Sequence, residues 1–241
     1  TAGDVSVSAF DVISGPAECI DGQPTTFTLR ARLVTNASNR YDVGFFVATD
    51  GGNALTGSCA RDWLTPVATV TNSNRNETSG TGPFHNGETG GNYDACGDIR
   101  SSITTLKNLT PITVICEDNN NNGILDVATA TSYDNNADNN CNNINQTLPG
   151  NTAKCKAATV QVGSVTFLYS AKIEVIKDVV STVTPENGLF NLVISSTSSI
   201  TPTNSFLYTQ PNVGDGGTTT AKTVSAGKST LRGASYLISE S

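Results

Sequence analysis

The chain has 241 residues, enough for one large domain or two small ones, and its 37 % apolar content supports a real core. Charged residues make up only 15 %, against about 25 % in typical globular proteins, and the net charge is −7. No basic patch is present to neutralise phosphates, which argues against nucleic acid and anionic lipid as partners. No apolar run approaches the ~20 residues of a membrane helix.

The chain opens on Thr1 and has no methionine, which fits removal of a secretory signal. The first segment, Asp4–Val12, is β-prone. It either pairs within its own domain or extends as an arm, with Val5, Val7, Phe10 and Val12 as the residues such an arm would insert into a neighbour.

Alternation of apolar and polar residues follows at Phe27, Leu29, Ala31 and Leu33, then at Tyr41, Val43, Phe45 and Val47, and again at Ile112, Val114 and Cys116. Successive side chains of a strand face opposite ways, so this period predicts sheets with one face in a core. In the last third, strands are expected around 171–183, 189–196, 205–209, 218–225 and 234–239. Turns at Pro185-Glu186-Asn187-Gly188 and Gly214-Asp215-Gly216-Gly217 separate them. The expected fold is all-β, two tandem β-sandwich domains of Ig-like or prealbumin-like type. Residues 1–13 form the N-terminal β arm, 14–165 a cysteine-rich, calcium-binding domain, and 166–241 a cysteine-free sandwich.

The six cysteines, Cys19, Cys59, Cys96, Cys116, Cys141 and Cys155, include no close pair of the kind zinc sites use. Their even number and wide spacing predict three disulfides made in an oxidising compartment. Of the 15 connectivities open to six cysteines, Cys141–Cys155, Cys59–Cys96 and Cys19–Cys116 are expected.

The strongest chemical signal is Asp118-Asn119-Asn120-Asn121-Asn122-Gly123-Ile124-Leu125-Asp126. Oxygen side chains alternate at Asp118, Asn120 and Asn122, Gly123 permits a sharp turn, and a carboxylate returns at Asp126. Together with the Ile124 carbonyl these are hard oxygen donors of the kind Ca2+ takes. A twelfth-position Glu is absent, since Thr129 stands there. The spacing of Asp134, Asn136 and Asp138 is compatible with a second ion, but without a glycine or a return carboxylate the stretch reads first as a surface loop tied down by Cys141, and Asp94 and Asp98 flank Cys96 as a further, weak cation candidate. The single histidine, His85, lies in a Gly-rich run and reads as solvent-exposed rather than catalytic. No Gly-x-Ser-x-Gly turn occurs, and Trp63 is the only tryptophan. The chain does not read as an enzyme.

The loop 118–126 resembles the short calcium loops of thrombospondin type 3 repeats. Together with Asp50-Gly51-Gly52-Asn53-Ala54-Leu55, Tyr93-Asp94-Ala95-Cys96-Gly97-Asp98 and Leu148-Pro149-Gly150-Asn151-Thr152-Ala153-Lys154-Cys155, it makes residues 1–165 similar to the repeat-type β domains of large secreted bacterial surface proteins. The second part, from Lys172-Ile173-Glu174-Val175 to Tyr236-Leu237-Ile238-Ser239-Glu240, resembles the prealbumin-like sandwiches of adhesins and pilins. The resemblance implies an extracellular structural subunit at a bacterial surface, a head-to-tail homopolymer joined by strand exchange. The alternative is a calcium-dependent adhesin for a glycan or surface partner. A glycan binder needs exposed aromatics near the calcium loop, where Tyr133 is the nearest, whereas an assembly subunit needs open sheet edges.

Overall fold

The computed structural model describes residues 3–65, 77–87, 94–137, 140–177, 189–196, 207–227 and 236–240. The described residues are nearly all in strands or loops, as the alternation predicts. Two compact units divide the chain, Thr1–Thr166 and Phe167–Ser241.

In the first unit, β1 (Val5–Ser14) lies antiparallel to β3 (Pro24–Thr35), which also pairs with β7 (Thr105–Asn108) and β8 (Ile112–Ile115). The alternation in β3 is realised directly, with Phe27, Leu29, Ala31 and Leu33 all buried. A register shift between Val7 and Ala9 adds one residue to β1, so Val5, Val7 and Phe10 point inward although their spacing is not a strict two. The expected N-terminal arm is therefore corrected. Val5, Val7 and Phe10 fill the core of their own chain, and Val12 pairs with Leu29. The hydroxyl of buried Tyr133 accepts the amides of Gly3 and Asp4 at 2.9 Å and fixes the entry to the strand.

The second sheet of this unit has the order β10 (Lys154–Ile173), β9 (Ile124–Asp134), β4 (Asn39–Ala48), β5 (Cys59–Trp63), all antiparallel. The short β6 (Ile99–Arg100) joins β4, and β2 (Glu18–Ile20) lies against β10, where the Thr166 amide donates to Ala17. Val43, Phe45, Val47, Leu125, Val127, Val160 and Val162 are its buried apolar face, which makes the unit sandwich-like. The other face of β4 is buried as well. Phe46 and Ala48 pack with Ala130 and Ala54, with Leu55 and Leu148 over them. A period of two cannot foretell this cover, because it comes from loop residues, Ala54 and Leu55 just after β4 and Leu148 far along the chain.

In the second unit, β12 (Leu207–Val213), β11 (Phe190–Ser196) and β14 (Tyr236–Glu240) form a three-stranded antiparallel sheet. β13 (Lys222–Ala226) pairs with Tyr169–Ile173 of β10. Leu192, Ile194, Val213 and Val224 are buried. The strands expected at 189–196 and 234–239 correspond to β11 and β14. Residues 178–183 of the expected 171–183 strand, and the turn at 185–188, lie outside the described residues.

On the first sheet, the Asp11 carboxylate accepts from Arg30 at 3.0 Å and from Arg32 at 3.3 Å. Burial acts to raise its pKa, but the hydrogen bonds and charges of the two guanidiniums together outweigh burial and hold it below the usual range. A carboxyl lowered on folding stabilises the native state above an unfolded pKa of about 4, and that contribution is lost as pH falls through the folded value. All three side chains are about a third exposed or more, so Asp11→Asn is expected to cost under about 1 kcal/mol at pH 7. Urea unfolding should show the difference vanish by pH 2–3. A larger difference in acid than at neutrality would overturn this account.

Candidate metal centre

The loop from Glu117 to Ile124 joins β8 to β9, and the backbone closes it at the base: the Asp126 amide donates to the Glu117 carbonyl at 2.8 Å. Just before it, Cys116 is bonded to Cys19, so one end is fixed covalently to β2. Asn121 and Gly123 both have positive φ, +57° and +82°, and these two residue types reach that region at least cost. The turn is possible because they stand there.

Its carboxylates are organised by backbone amides. Asp118 accepts from Asn122 at 3.0 Å with one oxygen and from Gly123 at 2.7 Å with the other. The Asn122 side-chain oxygen accepts from Ile124 at 3.1 Å. Asp126 is buried and accepts from the Asn120 backbone amide at 3.1 Å and from its side-chain amide at 3.1 and 3.2 Å. The structure thus brings Asp118, Asn120, Asn122 and Asp126 into one loop, in the order the spacing predicts.

Two features of the donor set fit a divalent cation. Asp126 is a buried carboxylate, and among the described residues no lysine or arginine forms an ion pair with it. Leaving a buried charge without a counter-charge is costly. Two aspartates also supply the two negative charges that a Ca2+ ion balances. Asn120 now turns its NH2 toward Asp126, so ligation through its oxygen requires the amide to rotate by half a turn about χ2.

The other expected sites fare differently. Asp134 accepts from the Ala153 amide and thereby ties β9 to the start of β10, Asn136 is exposed, and Asp138 lies outside the described residues. Asp94 and Asp98 are both buried and serve backbone amides rather than an open cation site. Asp94 accepts from Cys96 at 2.9 Å and from Cys141 at 3.0 Å. Asp98 accepts from Asp42 at 3.1 Å and from Gly87. His85 is buried rather than exposed, with Nδ1 3.9 Å from buried Glu77, and its strand bridge to Asp98 holds it there. Period and composition carry no sign of this cluster, because Asp42, Glu77, His85 and Asp98 converge from four separate segments.

Only one expected disulfide pairing is observed. Cys19–Cys116 forms, but the second bond is Cys96–Cys141, and Cys59 and Cys155 are free. The reason is the Asp94 carboxylate, which gathers the amides of Cys96 and Cys141, while the Ala95 amide donates to the Cys141 carbonyl at 2.8 Å. Cys155 is meanwhile committed to β10 opposite Ser132, and Cys59 to β5 opposite Ala48. Asp42 lies beside Cys96 and Cys141, but sulfurs bonded to each other offer no thiolate to a metal.

Among the described residues no helix is long and apolar enough to cross a membrane. Comparison with family models, with curated proteins and with solved structures finds no match to this chain.

Proposed function

We propose that this chain is a structural subunit of a bacterial extracellular filament or surface appendage, secreted, self-associating, and stiffened by Ca2+ and disulfides. The observation that supports it most is that the two sheets of the first unit each end in a strand with one paired neighbour among the described residues, β5 in one sheet and β1 in the other. Edge strands carry unpaired backbone groups that a second copy can complete, and contacts between two different edges do not close on themselves. Because β1 is part of its own domain, assembly is assigned to these edges and not to an N-terminal arm. Two buried disulfides agree with folding in an oxidising compartment.

The competing reading, a calcium-dependent glycan adhesin, is disfavoured by Tyr133. The aromatic nearest the loop in the sequence reading is fully buried, with its hydroxyl engaged by Gly3 and Asp4, and offers no stacking face.

The test is electron microscopy of the purified chain with and without millimolar Ca2+. Filaments of uniform width are expected with calcium, and a strictly monomeric protein under both conditions would overturn the proposal. For the ion itself, the low ligand charge points to a dissociation constant of about 10⁻⁴–10⁻³ M. Calcium at a hundredfold excess over that constant should stabilise the fold by about 2.7 kcal/mol. Asp118→Ala should abolish the gain in melting temperature, and an equal gain in the variant would count against the loop.

A further inference from the structure

The chain has three Asn-Gly pairs, at 86–87, 122–123 and 187–188, the last outside the described residues. The other two stand in opposite surroundings. Asn86 is fully buried, and its side-chain amide donates to the Asp94 carbonyl at 3.3 Å. Gly87 is held as tightly. Its amide donates to Asp98, and atoms of His85, Asp98 and Tyr41 lie 3.1–3.3 Å from where a Cβ would stand. Asn122, by contrast, is exposed at the turn of the 118–126 loop. Gly123 has φ +82°, and no atom lies within 4 Å of where its Cβ would stand.

We infer that Asn122 is a self-modification site: in the ion-free loop its side-chain amide is lost to attack by the Gly123 nitrogen, and bound Ca2+ suppresses the reaction. Glycine has no side chain to crowd the attack, so an Asn-Gly pair reacts wherever the local chain can bend. The part played by calcium rests on the reading of this loop as its binding site; the reaction itself does not. The Gly123 amide nitrogen gives up its proton and bonds to Asn122 Cγ. The Cγ–Nδ2 bond breaks, and ammonia leaves with that proton. A five-membered succinimide remains. One water then opens the ring at either carbonyl and gives aspartate or isoaspartate, so water is the sole co-reactant and nothing is oxidised or reduced.

Two contacts set the pace at Asn122. Its Oδ1 accepts from the Ile124 amide at 3.1 Å, and the Gly123 amide donates to Asp118 at 2.7 Å. Both must open before the nitrogen and Cγ meet. In a surface loop that opening is local, whereas at 86–87 it requires the packing around buried Asn86 and Asp98 to come apart. A Ca2+ ion held by Asp118 and the Asn122 oxygen fixes the same two side chains and closes the route. Either product adds a third carboxylate to those of Asp118 and Asp126, so the charge of the loop changes with the time spent without an ion.

The test ages the full chain in mildly alkaline buffer with calcium, with a chelator, and with a chelator in guanidinium chloride, followed by peptide mapping by mass spectrometry. In chelator, conversion at Asn122 should outrun that at Asn86 by about tenfold or more, since local opening is far more frequent than opening of the core. In guanidinium chloride the two should react alike. Equal rates in the folded chain, or a preference for Asn122 that survives unfolding, would overturn the inference. Saturating calcium should slow conversion at Asn122 by about tenfold or more, because the ion-free fraction alone reacts. Conversion that is equally fast with and without calcium, at an unchanged melting temperature, overturns the calcium reading and leaves the modification standing. A calcium-induced rise in melting temperature in a chain whose Asn122 never converts overturns the modification alone.

Discussion

Replacing Cys19 and Cys116 together by alanine is expected to destabilise the first unit by about 4–5 kcal/mol, the largest single effect anticipated here. The bond spans 97 residues of sequence, and the chain-entropy relation gives about 4.7 kcal/mol for a loop near 100 residues. Both residues are almost fully buried, so alanine is the appropriate replacement; serine would add buried hydroxyls in need of partners. The same bond ends one residue before Glu117, whose carbonyl closes the base of the 118–126 loop. The double variant should therefore lose calcium-dependent stabilisation along with intrinsic stability. Urea denaturation with and without Ca2+ measures both, and a loss below about 1 kcal/mol would show that the unfolded chain is already held compact by other means.

Removal of the Asp98 carboxylate is the second large effect. Its side chain is fully buried, with Oδ1 accepting from the Asp42 amide at 3.1 Å and Oδ2 from the Gly87 amide. Asp98→Ala leaves both amides without an acceptor, and each orphaned buried donor costs about 1–3 kcal/mol, so a total of about 2–6 kcal/mol is expected. For a chain of this size that corresponds to roughly 2–4 °C of melting temperature per kcal/mol. Asp98→Asn keeps one acceptor but sets an NH2 against an amide donor, so it should fall between wild type and alanine. Calcium titration separates the structural role from a metal-binding one. Asp98→Ala should keep the calcium-induced rise in melting temperature that Asp118→Ala loses. Loss of that rise in Asp98→Ala as well would return Asp98 to the candidate ligands.

Much of the architecture is written locally. A residue's place on a strand face depends on its immediate neighbours, so the alternation at Phe27–Leu33 and at Val43–Val47 was enough to predict a buried sheet face, and both stretches form one. The calcium-type loop is local in the same sense. Asp118, Asn120, Asn122 and Asp126 are at most eight residues apart, and Asn121 and Gly123 supply the two left-handed residues that fold the loop back. Nothing beyond the loop is needed to bring those side chains together.

Tertiary structure decided whatever depends on separations that spacing cannot measure. Val5–Ser14 pairs at home because the extra residue after Val7 keeps Phe10 inward, and because Tyr133, more than a hundred residues away, accepts the amides at its start. Cys96 bonds to Cys141 because a buried Asp94 collects both their amides, which no count of intervening residues can weigh. His85 is buried for a related reason: its loop is anchored to Asp98 by backbone pairing across the twelve intervening residues. That Cys59 and Cys155 do not bond to each other follows from strand order. Two strands lie between β5 and β10, and sheet order is a property of the assembled domain that the amino-acid string does not display.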